Sequence, residues 1–187
     1  MAPMLEPKPA DEWDERTRDL LAGSDNPARV TLNIFGTLAH HPDLLRRWLV
    51  FGSHVLGKST LSGRHRELVI LRMGWRCRAP YEWGQHVVIA RAEGITDADI
   101  ARIAEGPDAD GWDPFEALLL RATDELFDDQ AISEESWRAI AEHYDEQQML
   151  DLIFTAGQYQ LVSMTLNSCR VERDDGVDES SVPFPSR

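Results

Sequence analysis

The sequence is poor in cysteine and has no long apolar run. Cys77 and Cys169 are its two cysteines, and two isolated cysteines do not form a disulfide framework. A membrane-spanning helix needs roughly 18 or more consecutive apolar residues, and no such run is present. The proline-rich, acidic N-terminal residues lack the apolar core of a secretion signal. We therefore expect a cytoplasmic protein with reduced thiols and no membrane contact.

A pattern of alternating apolar and polar residues, as expected for β-strands, is also missing. Apolar residues instead recur at helical spacing, and helix-starting residues precede most of these segments. The chain has 187 residues, of which 42% are hydrophobic, enough for one domain with a sizeable core. The sequence therefore predicts an all-α fold.

Start and stop signals predict where the helices lie. Ser62 is placed to cap a helix over 64–75. Pro80 suits the first turn of the next helix, which Gly94 ends. A turn is predicted at 24–27. Further helices are predicted at 11–22, 33–38, from residue 42, and at 96–104, 113–127, 133–143 and 145–169.

Charge is unevenly distributed in a chain whose net charge is −14. Residues 113–187 contain 17 acidic and five basic residues, whereas 46–91 contain nine basic and two acidic residues. An acidic protein binds nucleic acid poorly, so no nucleic-acid partner is expected. The basic stretch either attracts a small anionic substrate or pairs with acids of the C-terminal half or of a neighbouring subunit. The sequence leaves both interpretations open.

The candidate site lies on the two predicted helices around Pro80. Glu82 and His86 are four residues apart and therefore share one helix face. Antiparallel packing of the two helices would bring Glu67 close to that pair. Two carboxylates and an imidazole can exchange protons, and burial raises the pKa of a carboxyl group. The alternative is a surface ion pair with Glu67 bound to a nearby arginine. Three aromatic residues flank the site: Trp75, Tyr81 and Trp83.

These residues resemble a known motif. In the peroxidase branch of the carboxymuconolactone decarboxylase family, a Glu precedes a Cys-x-x-Cys pair by twelve residues, and a His follows the second Cys by four. Counting back from His86 places the two cysteine positions at Glu82 and Ala79, and the Glu at Glu67. Cys77 lies two residues too early. The Tyr-Glu-Trp-x-x-x-His form resembles a branch of this family without cysteines.

The resemblance implies an AhpD-like helical domain over 42–171. An N-terminal arm and helix over 1–41 would pack on it, and 172–187 would form a polar, flexible tail. Members of this family form rings of subunits, so a homotrimer or homohexamer is expected. The helix predicted at 145–169 is apolar around most of its circumference, which also favours association of subunits.

The leading functional hypothesis is proton transfer by Glu67, Glu82 and His86 on a small carboxylated or lactone substrate, as in a decarboxylase or a related lyase or isomerase. We expect an anionic substrate and no cofactor or metal. Four residues are expected to contact the substrate: Arg72, Tyr81, Trp83 and Tyr159.

Three other functions remain open. A thiol peroxidase needs a thiolate of low pKa, and Cys77 lies between two arginines that would lower its pKa, but it lacks the second thiol. A metal site would use Glu82 and His86 with His54 or Glu67. A non-catalytic oligomeric binding protein would retain only the fold.

Overall fold

The computed structural model describes residues 2–22, 32–177 and 184, and all regular secondary structure in these residues is helical. This confirms the predicted all-α fold. A short 3₁₀ helix, Ala10–Glu12, precedes the α-helices. In chain order these are α1 (Glu15–Ala22), α2 (Asn33–Leu38), α3 (Pro42–Gly57), α4 (Gly63–Arg76), α5 (Pro80–Ala92), α6 (Asp97–Glu105), α7 (Pro114–Asp128), α8 (Glu134–Ala141) and α9 (Glu146–Cys169).

Helix starts follow the capping residues of the sequence. The Ser62 hydroxyl accepts a hydrogen bond from the His65 amide at 3.1 Å and so caps α4. Thr96 forms a capping box with Asp99 at the start of α6, and Asp145 forms another at α9. These caps satisfy amide groups that have no partner within the helix. The boundaries were therefore predictable from local sequence.

Helix α4 lies at the centre of the molecule and packs against α5, α7 and α9. Its residues 67–74 are all buried, because neighbouring helices cover it on several sides. Most of these residues are apolar, but Glu67 and Arg72 are charged. Burying a charged group is costly unless partners compensate it. The central helix therefore requires an ionic partner at two separate positions.

Residues outside the central helices are held by specific contacts. The Met4 amide donates to the Cys169 carbonyl at 2.8 Å, and the aromatic ring of Trp13 packs with residues of α1–α3. Asp174 accepts a hydrogen bond from the Asn33 amide at 2.7 Å, and Phe184 packs against aromatic residues of the core. Asp174 and Phe184 thus contact the rest of the protein, and the flexible tail expected over 172–187 stays a prediction. The turn predicted at 24–27 lies outside the described residues.

Helix α9 has one exposed apolar side. Leu150, Phe154, Leu161 and Met164 follow helical spacing and are each about half exposed, whereas the opposite side of the helix is buried in the core. In the part of the chain that the structure describes, no helix has the length and apolarity to cross a membrane.

Candidate active site

Three predicted residues meet between α4 and α5. The Nδ1 atom of His86 lies 2.6 Å from Oε2 of Glu67, and its Nε2 atom lies 3.1 Å from Oε1 of Glu82. All three residues are buried. Both imidazole nitrogens therefore face a carboxylate, and an imidazolium can donate a hydrogen bond to each.

Local sequence explains this arrangement. Glu82 and His86 are one turn apart on α5, so their side chains lie on the same face. A short turn joins α4 to α5, and within it Arg78 adopts a left-handed conformation with φ of 53°. Pro80 starts α5 without losing a hydrogen bond, because its position is the first of the helix. The turn folds α5 back along α4 and so brings Glu67 to His86.

The charges of the cluster stabilise one another. Burial by itself lowers the pKa of His86, but Glu67 and Glu82 outweigh burial and raise it to about 9. Burial favours a higher pKa for Glu67, yet His86 and Arg66 hold that pKa below its ordinary value. Arg66 Nε donates to Glu67 Oε1 at 2.9 Å and so contributes a second cation. The expected rise in carboxyl pKa is therefore wrong for Glu67, because two cations contact it.

Tyr159 of α9 covers the imidazole. Its ring meets the His86 ring edge to face, with the ring centroids 4.8 Å apart and the planes at 86°. Burial and the nearby carboxylates of Glu82 and Glu67 raise the pKa of Tyr159 well above its ordinary value. The phenol therefore stays protonated near neutral pH.

A cavity of about 400 Å³ opens beside this cluster. Glu82, His86 and Tyr159 line it, whereas Glu67 is fully buried outside the cavity lining. Glu82 and His86 are therefore the members of the cluster that a ligand can reach. Other polar residues of the lining include Tyr81, Gln85 and Gln158. The apolar walls include Ile34, Phe35, Trp48, Leu49, Ile89 and Val162.

Two predicted substrate contacts lie elsewhere. Arg72 binds both carboxylate oxygens of Asp124 at 2.7 Å and the carbonyl of Ile103 at 2.8 Å. It is absent from the cavity lining, because its guanidinium points to the side of α4 that packs on α6 and α7. Trp83 packs against Trp75 with ring centroids 5.3 Å apart, in the core and not in the cavity. Arg72 and Trp83, which were expected to contact the substrate, therefore do not line this cavity.

Tyr81 does line the cavity, but its hydroxyl is already bound. The hydroxyl donates to Asp174 at 2.5 Å and accepts from the Ile34 amide at 3.3 Å. Burial and the Asp174 carboxylate raise the pKa of Tyr81. Tyr81 therefore fixes the C-terminal segment at the edge of the cavity and keeps its hydroxyl away from a ligand.

Arginines of the basic stretch pair with acids of the C-terminal half. Arg64 binds Glu116, and Arg76 lies 3.0 Å from Asp124. Together with the Arg72–Asp124 pair, these contacts match the pairing interpretation of the basic stretch. None of these three arginines lines the cavity.

The alternative functions depend on His54 and Cys77 in addition to the cluster. His54 binds Asp151 at 2.9 Å. Among the described residues, no three His, Cys, Asp or Glu side chains are grouped so as to hold a metal ion. Burial raises the pKa of the Cys77 thiol, with a further contribution from Glu82, against the lowering effects of Ser163 and Arg76. Burial therefore outweighs the lowering of the Cys77 pKa that the flanking arginines were expected to provide.

Gln158 is a cavity residue that the sequence analysis missed. It lies on α9 next to Tyr159 and is buried. A glutamine on the buried side of a helix is a signal, because buried polar groups need partners. Its position beside the cavity could not be read from spacing alone.

The overall architecture is that of AhpD-like helical proteins. A peroxidase-related protein from Ralstonia eutropha JMP134, described as an alkylhydroperoxidase AhpD core, matches with a TM-score of 0.78 and 18% identity over 94% of this chain and 95% of its own. An uncharacterized peroxidase-related protein from Silicibacter sp. TM1040 matches with a TM-score of 0.81 and 12% identity over 98% and 96% of the two chains. At identities this low, the two matches show a shared fold alone.

Residues 42–125 match the model of the Carboxymuconolactone decarboxylase family, so this part of the chain is similar to that family. The matched segment contains Glu67, Glu82 and His86 but ends before α9. No significant match was found among curated proteins.

Proposed function

We propose that this protein is an acid/base enzyme that transfers a proton on a small carbonyl-bearing substrate such as a lactone. The observation that supports it is the position of the His86 ring between two carboxylates, of which Glu82 faces the cavity. Perturbed pKa values beside a cavity are typical of catalytic sites. A structural ion pair needs no adjoining space of this size.

In this proposal Glu82 exchanges the proton with the substrate. As a carboxylate it removes a proton from the carbon next to the carbonyl group, and the electron pair moves to the carbonyl oxygen. Glu82 then returns the proton to the same or another carbon, so that protons and electrons balance. His86 stabilises the carboxylate through its Nε2–H group, and Glu67 holds the opposite nitrogen of the ring. Glu67 is thus a positioning residue.

Isomerisation or another proton transfer fits this site better than decarboxylation. A decarboxylase must hold the carboxylate of its substrate, and Arg72, the arginine expected to contact the substrate, is bound to Asp124. His86 is the cation at the cavity, and it already faces two carboxylates. The cavity therefore offers little to attract a second negative charge.

Hydrogen exchange with solvent tests the proposal before the natural substrate is known. A panel of unsaturated γ-lactones and cyclic β-keto esters would be incubated in D₂O, with deuterium uptake measured by mass spectrometry. We expect uptake above the buffer rate for at least one compound, and a loss of roughly a hundredfold in Glu82→Gln. Arg121→Gln, which alters an exposed ion pair with Asp108, is the matched control. Equal uptake with wild type and Glu82→Gln would contradict the proposal.

A peroxidase is the second candidate, because the structural relatives are described as peroxidase-related. Its chemistry needs a reactive thiolate. Glu82 and Ala79 occupy the positions of the cysteine pair, and burial raises the pKa of Cys77. We therefore place proton transfer ahead of peroxidase activity.

We also propose that the protein forms a homo-oligomer, as a trimer or hexamer. The exposed apolar side of α9 supports this, because monomers rarely expose a continuous apolar surface of this kind. Light scattering would measure the mass in solution. We expect a multiple of the 21.2 kDa chain and a smaller mass for Leu161→Glu. A wild-type mass equal to one chain at micromolar concentration would contradict the proposal.

A further inference from the structure

The cavity carries no spare positive charge in the described part of the chain. Its lining there contains no lysine or arginine, and the charged residues are Glu82 and His86. His86 is neutralised by Glu82 and by Glu67 behind it. An anionic ligand would lose its hydration and meet the Glu82 carboxylate without gaining an unpaired cation. Burying a charge without a partner is costly, so the lining disfavours anions.

Gln158 adds a polar group with unmet hydrogen-bonding capacity. Its residue surface is 4% exposed, and its Oε1 atom has no hydrogen-bond partner among the described residues. A Cβ atom placed on Gly52 of the cavity wall would lie 3.7 Å from its Nε2 atom. The amide is therefore packed at the wall of the cavity with one polar atom unsatisfied. A buried amide atom without a partner is destabilising. Rotation of the Gln158 side chain toward the cavity would expose this atom to a ligand, which can supply the partner.

The identity of the partner follows from the chemistry of the amide. An amide oxygen accepts a hydrogen bond, so it needs an O–H or N–H donor. Exchanging the oxygen and nitrogen of the amide would leave a donor unsatisfied in the same place. A hydroxyl group both donates and accepts and so satisfies Gln158 in either orientation.

We propose that the cavity binds an uncharged, mainly apolar molecule carrying a hydroxyl group that Gln158 recognises. The apolar walls bury the body of the molecule, and Gln158 sets its orientation. Its assignment as the substrate class rests on the proposed function, in which the same molecule presents its carbonyl side to Glu82. This replaces the expectation of an anionic substrate.

Three probes of similar shape test the proposal: 2-naphthol, 2-methylnaphthalene and 2-naphthoate. The first has a hydroxyl, the second has no hydrogen-bonding group, and the third is an anion near neutral pH. Binding to wild type, Gln158→Met and Gln160→Met would be measured by equilibrium dialysis. Gln160 lies on the same helix, is half-buried and does not line the cavity, so Gln160→Met is the matched control.

We expect wild type to bind 2-naphthol, with roughly three- to tenfold weaker binding by Gln158→Met and no change in Gln160→Met, as for loss of one hydrogen bond. Binding of 2-methylnaphthalene should be equal in all three proteins, which also shows that the cavity is intact. We expect 2-naphthoate to bind at least about tenfold more weakly than 2-naphthol, because its charge is buried without a partner.

Three results would overturn the proposal. The first is tighter binding of 2-naphthoate than of 2-naphthol. The second is an equal weakening of 2-naphthol and 2-methylnaphthalene binding in Gln158→Met. The third is no binding of 2-naphthol by wild type. The measurement involves no turnover. A positive binding result would therefore remain valid if the acid/base proposal failed. A negative binding result would contradict the ligand proposal whether or not the protein is an enzyme.

Discussion

Helix α4 carries two buried ionic networks, and they differ in one respect. Glu67 contacts His86 and Arg66 on the side toward α5, and Arg72 contacts Asp124 on the side toward α7. Both networks involve charged residues with little solvent contact. The first continues to Glu82 at a cavity, whereas the second is enclosed by packed helices.

The Arg72 network is saturated by its surroundings. Its guanidinium forms a two-bond contact with Asp124 and also donates to main-chain carbonyls of Ile103 and Ala104. Gly106 lies so close that a Cβ atom there would be 3.0 Å from Nη2 of Arg72, and its φ of 117° also favours glycine. Arg72 does not line the cavity beside His86. Burial of charge alone therefore does not identify a reactive site, whereas burial beside accessible space does.

The largest expected effect is on stability. Arg72→Met would leave Asp124 paired with Arg76 alone, and two carbonyls in the last turn of α6 would lose their side-chain donor. Breaking a buried ion pair costs about 3–5 kcal/mol. We expect a loss of free energy of unfolding in this range, measured by urea denaturation. Arg121→Gln, at an exposed pair, should change stability little. A loss of proton-transfer activity in the folded Arg72→Met protein would contradict the assignment of a purely structural role to the Arg72 network.

The second effect is on chemistry. Glu82→Gln retains the shape of the side chain and removes the base, so the rate of deuterium uptake should fall about a hundredfold. Its free energy of unfolding should change less than that of Arg72→Met, because His86 keeps its contact with Glu67. Parallel denaturation and exchange assays measure both quantities. A loss of stability in Glu82→Gln without a loss of the exchange rate would make this cluster structural as well.

The third effect is a pH dependence of stability. His86 has a pKa of about 9 when folded and an ordinary value of 6.5, so between these values the folded state binds more protons. The contribution of His86 is complete below about pH 6.5 and is lost as pH rises through 9. We expect the free energy of unfolding to fall by an amount on the order of 3 kcal/mol over this window. Denaturant titrations of wild type and His86→Gln would measure it, and an identical slope in both would refute the assignment.

The smallest effect is expected at Cys77. Cys77→Ser should leave the exchange rate within a few-fold of wild type, because the thiol is half-buried, has a raised pKa and does not line the cavity. Slow labelling by a thiol reagent at neutral pH would agree with this. A fast, peroxide-sensitive reaction of Cys77 would instead favour the peroxidase.

The sequence was informative where structure depends on near neighbours. Helix caps such as Ser62 depend on residues three positions away, and the contact of Glu82 with His86 depends on one helical turn. The short turn between α4 and α5 made the approach of Glu67 predictable from the register of the motif.

Contacts between distant segments could not be predicted in this way. Arg72 is 52 residues from Asp124, and Tyr81 is 93 residues from Asp174. The sequence shows that an arginine lies near the motif, but helix packing decides which side of α4 it occupies. Gln158 was missed for the same reason, because only the arrangement of α9 against α5 places it at the cavity.

The protonation state of His86 tests the account most directly, because the proposal depends on a charged imidazole beside the cavity. Nitrogen chemical shifts of ¹⁵N-labelled histidine, measured by NMR against pH and assigned with His86→Gln, report that state without a substrate. We expect His86 to be protonated on both nitrogens at neutral pH and to titrate with a pKa of about 9. Glu67→Gln should lower that pKa. A neutral His86 at pH values near 7 in the wild-type protein would contradict the account.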